Sequence, residues 1–158
     1  MLSVATIMFV GCWLLGYSDA VPVPGSRLQG TLDDTSFLAV PAALAFVKEM
    51  GGAAAIAAHN HELAGWAATM LAERWNTELY APLELCTSMA VVRCPFEPVA
   101  PGEDLMGLMS DRFGIVVPII PMPGAHGVWA RISAQLYNDK ADYDRLADAV
   151  LELQRERA

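Results

Sequence analysis

Residues 53–75 read AAAIAAHNHELAGWAATMLAERW, a proline-free run dominated by alanine, the strongest helix former. A helix of that length draws most of its stability from tertiary packing, so its apolar positions Ile56, Leu63, Met70 and Leu71 need a second layer to cover them. The flanking sequence offers two further helices. Phe37, Val40, Leu44 and Val47 step by three, four and three along one helical face, behind the capping candidates Asp33, Asp34 and Thr35. Pro41 breaks that helix or opens a second one in its first turn, and Gly51-Gly52 closes it. Near the other end Tyr143, Leu146, Val150 and Leu153 repeat the same steps after the capping pair Asn138-Asp139.

Between the helices lie runs with strand character. Residues 89–94 (MAVVRC) are β-branched at the centre, residues 115–120 (IVVPII) are apolar, and residues 128–134 (VWARISA) alternate. Pro118 removes a ladder donor, which predicts an edge strand or a bulge there. Residues 76–87 are a connection containing Pro82, residues 102–113 a short helix, and residues 121–127 a Pro- and Gly-rich turn. The order α-α-β-α-β-β-α predicts an α+β fold: a small antiparallel or mixed sheet covered by helices. No repeat of 20–50 residues is visible.

The first residues stand apart. Residues 2–17 carry no charge, have about the length of a signal-peptide apolar region, and are shorter than a spanning helix. Ser18-Asp19-Ala20 has a small-x-small pattern, but no Lys or Arg precedes the run. Residues 21–26 (VPVPGS) read as an extended linker. The expected organisation is a leader and linker over residues 1–28 and one folded domain over 29–158. The expected location is the cytoplasm with no membrane span; an authentic leader would instead make the chain secreted or anchored and predicts cleavage near Ala20.

Composition excludes several classes. A net charge of −8 with no Lys/Arg cluster argues against nucleic acid as a partner. With 54% hydrophobic and 18% charged residues the chain is no disordered protein. Three cysteines make no disulfide framework, and Cys86 and Cys94 have no second pair to build a zinc ribbon. His61 and Glu62 begin a zinc-protease pattern, but Gly65 stands where the second histidine belongs, so no metal site is expected. His59 and His61, two apart, point to different sides of a helix; His59 is expected to pack, partly buried, between Ile56 and Leu63. Glu103, Asp104 and Asp111 are expected on a solvated helix face. Rossmann, Walker and nucleophile-elbow patterns are missing.

Two places carry chemistry. In VWARISA, Val128, Ala130, Ile132 and Ala134 share one face of a strand, and Trp129, Arg131 and Ser133 share the other. A guanidinium on a half-buried strand needs an anion, and its planar fork suits a carboxylate. That carboxylate belongs either to one of the 18 acidic residues or to a ligand. Gly30-Thr31, ahead of a helix start, sets a hydroxyl beside exposed N–H groups, a phosphate-contact geometry also found at ordinary caps.

The ordered combination of GTLDDTSFLAVPAALAFVKEMGG, AHNHELAGWAATML and WARISAQLYNDKADYDRLADAVLEL resembles the C-terminal part of class V aminotransferase-fold enzymes. It is most similar to the isopenicillin N epimerase-like branch, with its cysteine-conjugate lyases. Cysteine desulfurases share the Arg-x-Ser and Tyr-Asn pieces. The resemblance runs over about residues 29–153. It implies a pyridoxal-phosphate enzyme of fold type I, acting on an amino acid or amino-acid conjugate as an epimerase or a C–S lyase, whose small domain closes over a cofactor held on a lysine of the large domain. It implies that Gly30 and Thr31 contact the cofactor phosphate and that Arg131 holds the substrate α-carboxylate; Asn138 fits better as the cap of the last helix than as a ligand. Lys48, beside Glu49 in a short helix, and Lys140, at a helix start, lack the strand-end setting of the cofactor lysine. A fragment inactive without a large domain or homologous subunit, homo-oligomeric and carrying exposed apolar surface, is therefore expected. The alternative is a non-catalytic carboxylate-binding or homologue-pairing module of the same fold.

Overall fold

A computed structural model describes residues 35–97 and 102–157, which fall into two compact units divided between Ala53 and Ala54. The N-terminal unit contributes α1 (Thr35–Leu38) and α2 (Val40–Glu49). Pro41 sits in the first turn of α2, where its missing N–H has no helical partner to lose. Past the Met50 cap, Gly51 and Gly52 take φ of 90° and 89°, the left-handed region that glycine enters without strain. No residue of α2 is buried, and Phe37, Leu38 and Leu44 are 63%, 78% and 64% exposed. The face drawn by the three-four-three spacing is thus present and largely uncovered.

The second unit is the α+β domain. It comprises α3 (Gly52–Trp75, which begins just before the division), a 3₁₀ turn at Leu83–Leu85, β1 (Met89–Arg93), α4 (Leu105–Phe113), β2 (Ile119–Pro121), β3 (Val128–Ser133) and α5 (Lys140–Arg157). The sheet order is β1-β3-β2, with both outer strands antiparallel to β3. β1 and β2 therefore run parallel on either side of β3 and are joined through α4, while a tight turn joins β2 to β3.

The register sorts every strand residue to a face. Ala90 pairs with Ile132, and Val92 and Ile119 flank Ala130. All five are buried and join Leu63, Leu71 and Trp75 of α3 and Tyr143, Leu146, Val150 and Leu153 of α5 in one core. Alanines 64, 67 and 68 have no exposed area, which lets α3 lie close to its neighbours. The Trp75 indole donates to the Ala147 carbonyl at 3.3 Å and the Tyr143 hydroxyl to the Ser133 carbonyl at 3.2 Å, so both buried polar tips are satisfied. Ion pairs fasten α5 at its rim: Arg74 to Asp144 and Asp148, Arg112 to Glu152 and Glu156, Arg157 to Glu103. The Arg112 guanidinium holds the Glu156 carboxyl below its ordinary range. Asp139 caps α5 by accepting from the Asp142 N–H at 3.1 Å, and Asp142 accepts from the Asp139 N–H at 3.2 Å, a reciprocal capping box.

Several expectations change here. The strand expected over residues 115–120 pairs only at Ile119–Pro121, because Pro118 has no N–H for the ladder, although its carbonyl still accepts from the Arg131 N–H at 2.9 Å. β2 is the edge strand that this proline predicts. His59 is exposed, and Asn60 is the buried neighbour at 5% exposure. The large apolar residues alone misplace the buried stripe, which follows Asn60, Leu63, Ala64, Ala67, Leu71 and Trp75. Asn138 closes the turn ahead of α5 by accepting from the Gln135 N–H, while the cap itself is Asp139. Among the described residues no single helix is long and apolar enough to cross a membrane.

Candidate functional site

The face of the sheet opposite the helices gathers the chemistry. Across β1 and β3 it reads Met89 beside Ser133, Val91 beside Arg131, and Arg93 beside Trp129; from β2, Ile120 stands next to Trp129. Met89 is 50% and Ile120 41% exposed. Arg131 is exposed, and among the described residues its guanidinium makes no ion pair or hydrogen bond. Among the described residues, then, no carboxylate takes up Arg131, and a permanent cation stands on the central strand with Val91 directly across from it.

One end of this face is walled. Tyr80 reaches the sheet because its N–H bonds the Val91 carbonyl at 2.9 Å, beside the Leu79–Val92 bridge. Its ring meets Trp129 edge-on, centroids 5.4 Å apart at 81°, and its hydroxyl donates to the Pro123 carbonyl at 3.1 Å. The Trp129 indole donates to the His126 carbonyl at 3.2 Å. Gly127 takes φ of 81°, and a Cβ there would sit 3.1 Å from Glu97 Oε1 and 3.3 Å from Arg93 Nε, so any other residue would strain the turn and press on that pair. Arg93 lies 3.5 Å from both Glu78 and Glu97. Tyr80, Trp129, Arg93, Glu78 and His126 line a cavity of roughly 370 Å³. A larger cavity, roughly 650 Å³, lies around Trp75, Thr77, Phe96 and Leu151. Arg93 lines both cavities, and Arg131 lines neither.

The remaining candidates disperse. Gly30 and Thr31 lie outside the described residues, as do Asp33, Asp34 and the whole of residues 1–28. Asp104 caps α4 through the Gly107 N–H at 2.9 Å, Glu103 pairs with Arg157, and Asp111 is exposed, so these carboxylates do not meet as a catalytic pair. The His61 ring donates from Nδ1 to the Thr87 carbonyl at 3.2 Å. Burial pushes the Cys94 thiol up to about 12, which keeps it protonated and unreactive at neutral pH. Lys48 is exposed on α2, and the Lys140 ammonium sits 4.8 Å over the Trp66 ring. Neither lysine lines either of the two cavities. Sequence reasoning missed Arg93, Tyr80 and Asn60. Arg93 was within reach, since the alternation that isolates Arg131 on β3 puts Met89, Val91 and Arg93 on one face of β1.

A family model described as aminotransferase class-V matches residues 15–146, starting upstream of Gln29 and inside the apolar run. L-cysteine desulfhydrase of Arabidopsis thaliana is 33% identical over 155 residues, covering 87% of this chain and 34% of the relative. Isopenicillin N epimerase of Streptomyces clavuligerus is 36% identical over 135 residues, covering 80% and 32%. A second Arabidopsis protein, named a probable chloroplastic L-cysteine desulfhydrase, is 35% identical over 145 residues, covering 85% and 30%. The chain spans about a third of the length of these relatives.

Proposed function

The chain belongs to the aminotransferase class-V family, and from that membership we propose that it is the carboxylate-binding small domain of a pyridoxal-phosphate enzyme acting on an amino acid or amino-acid conjugate, as an epimerase or a C–S lyase. The observation that carries the proposal is Arg131, a guanidinium on the central strand that no side chain among the described residues pairs with. Its planar fork takes the two oxygens of an α-carboxylate and fixes that end of the substrate. Pyridoxal phosphate would supply the electron sink for carbanion chemistry at the substrate Cα. The family implies that cofactor, and no step through it is assigned to the described residues. Gly30 and Thr31 keep the phosphate-contacting role that the resemblance gives them.

A large domain or a homologous subunit completes the site in this reading, and the chain alone is inactive. The exposed Phe37, Leu38 and Leu44 support such a partner, since monomers seldom keep uncovered apolar clusters. Titration of the chain with an α-amino acid tests the first claim. Saturable binding lost in Arg131→Gln is expected, and equal binding by the two proteins overturns it. The alternative is a non-catalytic carboxylate-binding or homologue-pairing module of the same fold. It predicts the same Arg131-dependent binding with no cofactor absorbance when a class V large domain and pyridoxal phosphate are added.

A further inference from the structure

We propose that a ligand held at Arg131 lays its side chain across the strands, over Val91 and against the Tyr80 ring, and that this trough selects long apolar or thioether side chains. The inference deepens the reading of Arg131 as the carboxylate site and rests on it. Register joins the residues. Residues 78–80 run antiparallel along the outer edge of β1. Leu79 bridges Val92, the Tyr80 N–H donates to the Val91 carbonyl at 2.9 Å, and the Arg93 N–H donates to the Glu78 carbonyl at 3.0 Å. Leu79, like Val92, packs against the core. Its neighbour Tyr80 therefore projects from the opposite face, beside Val91. Val91 in turn stands across from Arg131 on β3. Tyr80, Val91 and Arg131 thus form one row across the face, each about 4.7–4.9 Å from the next at the backbone. Val91 is shorter than either neighbour, so it floors a trough between a ring and a cation. Met89 extends that floor by one same-face step along β1, beside Ser133.

Exposure decides the direction. Along β3 a ligand would meet Trp129, which is buried at 3% exposure, or the polar Ser133. The exposed carbon beside Arg131 lies across the strands instead: Met89 is 50% and Tyr80 42% exposed, and Val91 is half-buried. Tyr80 is also held in place. Its hydroxyl donates to the Pro123 carbonyl, and its ring is braced edge-on by Trp129. With that hydroxyl engaged, the ring offers a ligand carbon, suited to a methylene chain or a polarizable sulfur. The methyl of alanine is too short to cross Val91 to the ring. A second carboxylate gains little here, because Arg93 on the next row lies between Glu78 and Glu97, 3.5 Å from each. Lying over Val91, it would shed water without a new donor.

NMR of the full chain, following the Val91 methyls, the Tyr80 ring and the Arg131 side chain, tests this with L-methionine, L-alanine and L-glutamate as probes. Methionine is expected to bind about tenfold more tightly than alanine, the scale of burying two methylene groups. It should also shift the Val91 methyls and give a nuclear Overhauser contact to the Tyr80 ring, whereas alanine perturbs Arg131 alone. Glutamate is expected to bind no more tightly than alanine. Tyr80→Ala is expected to narrow the methionine–alanine gap and leave alanine binding unchanged, with unmoved Ile132 and Val150 methyls reporting an intact core. Tyr80→Phe keeps the ring and should keep most of the gap. Arg131→Gln is expected to weaken all three probes alike. If the three bind equally with Val91 unmoved while Arg131→Gln still abolishes binding, the trough is wrong and the carboxylate site stands. If glutamate binds most tightly, the side chain runs to Arg93 and the trough is again wrong. If methionine shifts Val91 with unchanged affinity in Arg131→Gln, the carboxylate reading fails and the trough is not its subsite. Absence of binding by every probe overturns both.

Discussion

β3 has two faces that obey different rules. Val128, Ala130 and Ile132 are sealed under α3 and α5, while Arg131 and Ser133, their immediate neighbours in sequence, are exposed. The covered face is composed for shape, with alanines where the helices approach and branched residues where space must be filled. The other face carries an exposed cation and hydroxyl, while its Trp129 is buried at 3% exposure with Tyr80 packed edge-on against it. Stability is concentrated on the covered side, which leaves the open side to be shaped by what it binds.

The largest effect should come from Ile132→Ala, which removes buried carbon from the central strand. We expect about 2–5 kcal/mol of lost stability in denaturant unfolding. An alkaline titration comes next. Burial raises the Cys94 thiol from its ordinary value of 9.0 to about 12, and burial helped by the nearby Asp142 charge raises the Tyr143 hydroxyl from 10.0 to about 12. Both groups hold their protons longer folded than unfolded. Their contribution is complete below pH 9 and drains away as pH climbs toward 12. Thermal unfolding should show that decline, and Cys94→Ala should flatten its lower part; a profile unchanged in that variant would remove Cys94 from the account. Asp139→Ala, which deletes the α5 cap, should cost about 1 kcal/mol by the same denaturant assay. The smallest stability change belongs to Arg131→Gln, within about 0.5 kcal/mol of the parent despite its loss of carboxylate binding. If Arg131→Gln destabilises the fold as much as Ile132→Ala, the contrast between the faces is broken.

Much of this was legible beforehand. The three-four-three spacing of Tyr143, Leu146, Val150 and Leu153 found α5 because large apolar residues mark its buried stripe. The same reasoning slipped by one residue at His59 because alanines make the close contact of α3, and a hydropathy pattern undervalues them. Pro118 announced an edge strand, since a missing N–H is a local fact. The cavity was not legible: Tyr80 is 43 positions from the carbonyl it bonds, and no local period links residues so far apart.

The amino-acid order by itself settled the order of helices and strands and which residues share each face of β1 and β3, because both follow from the backbone repeats of 3.6 and 2. It also settled that a lone guanidinium stands on the middle of a strand. Only the tertiary structure decided that no acidic residue among those described comes to neutralise it, and that Tyr80, Arg93 and His126 meet beside Trp129. Those outcomes depend on how distant segments cross the sheet, and sequence spacing carries no record of that distance.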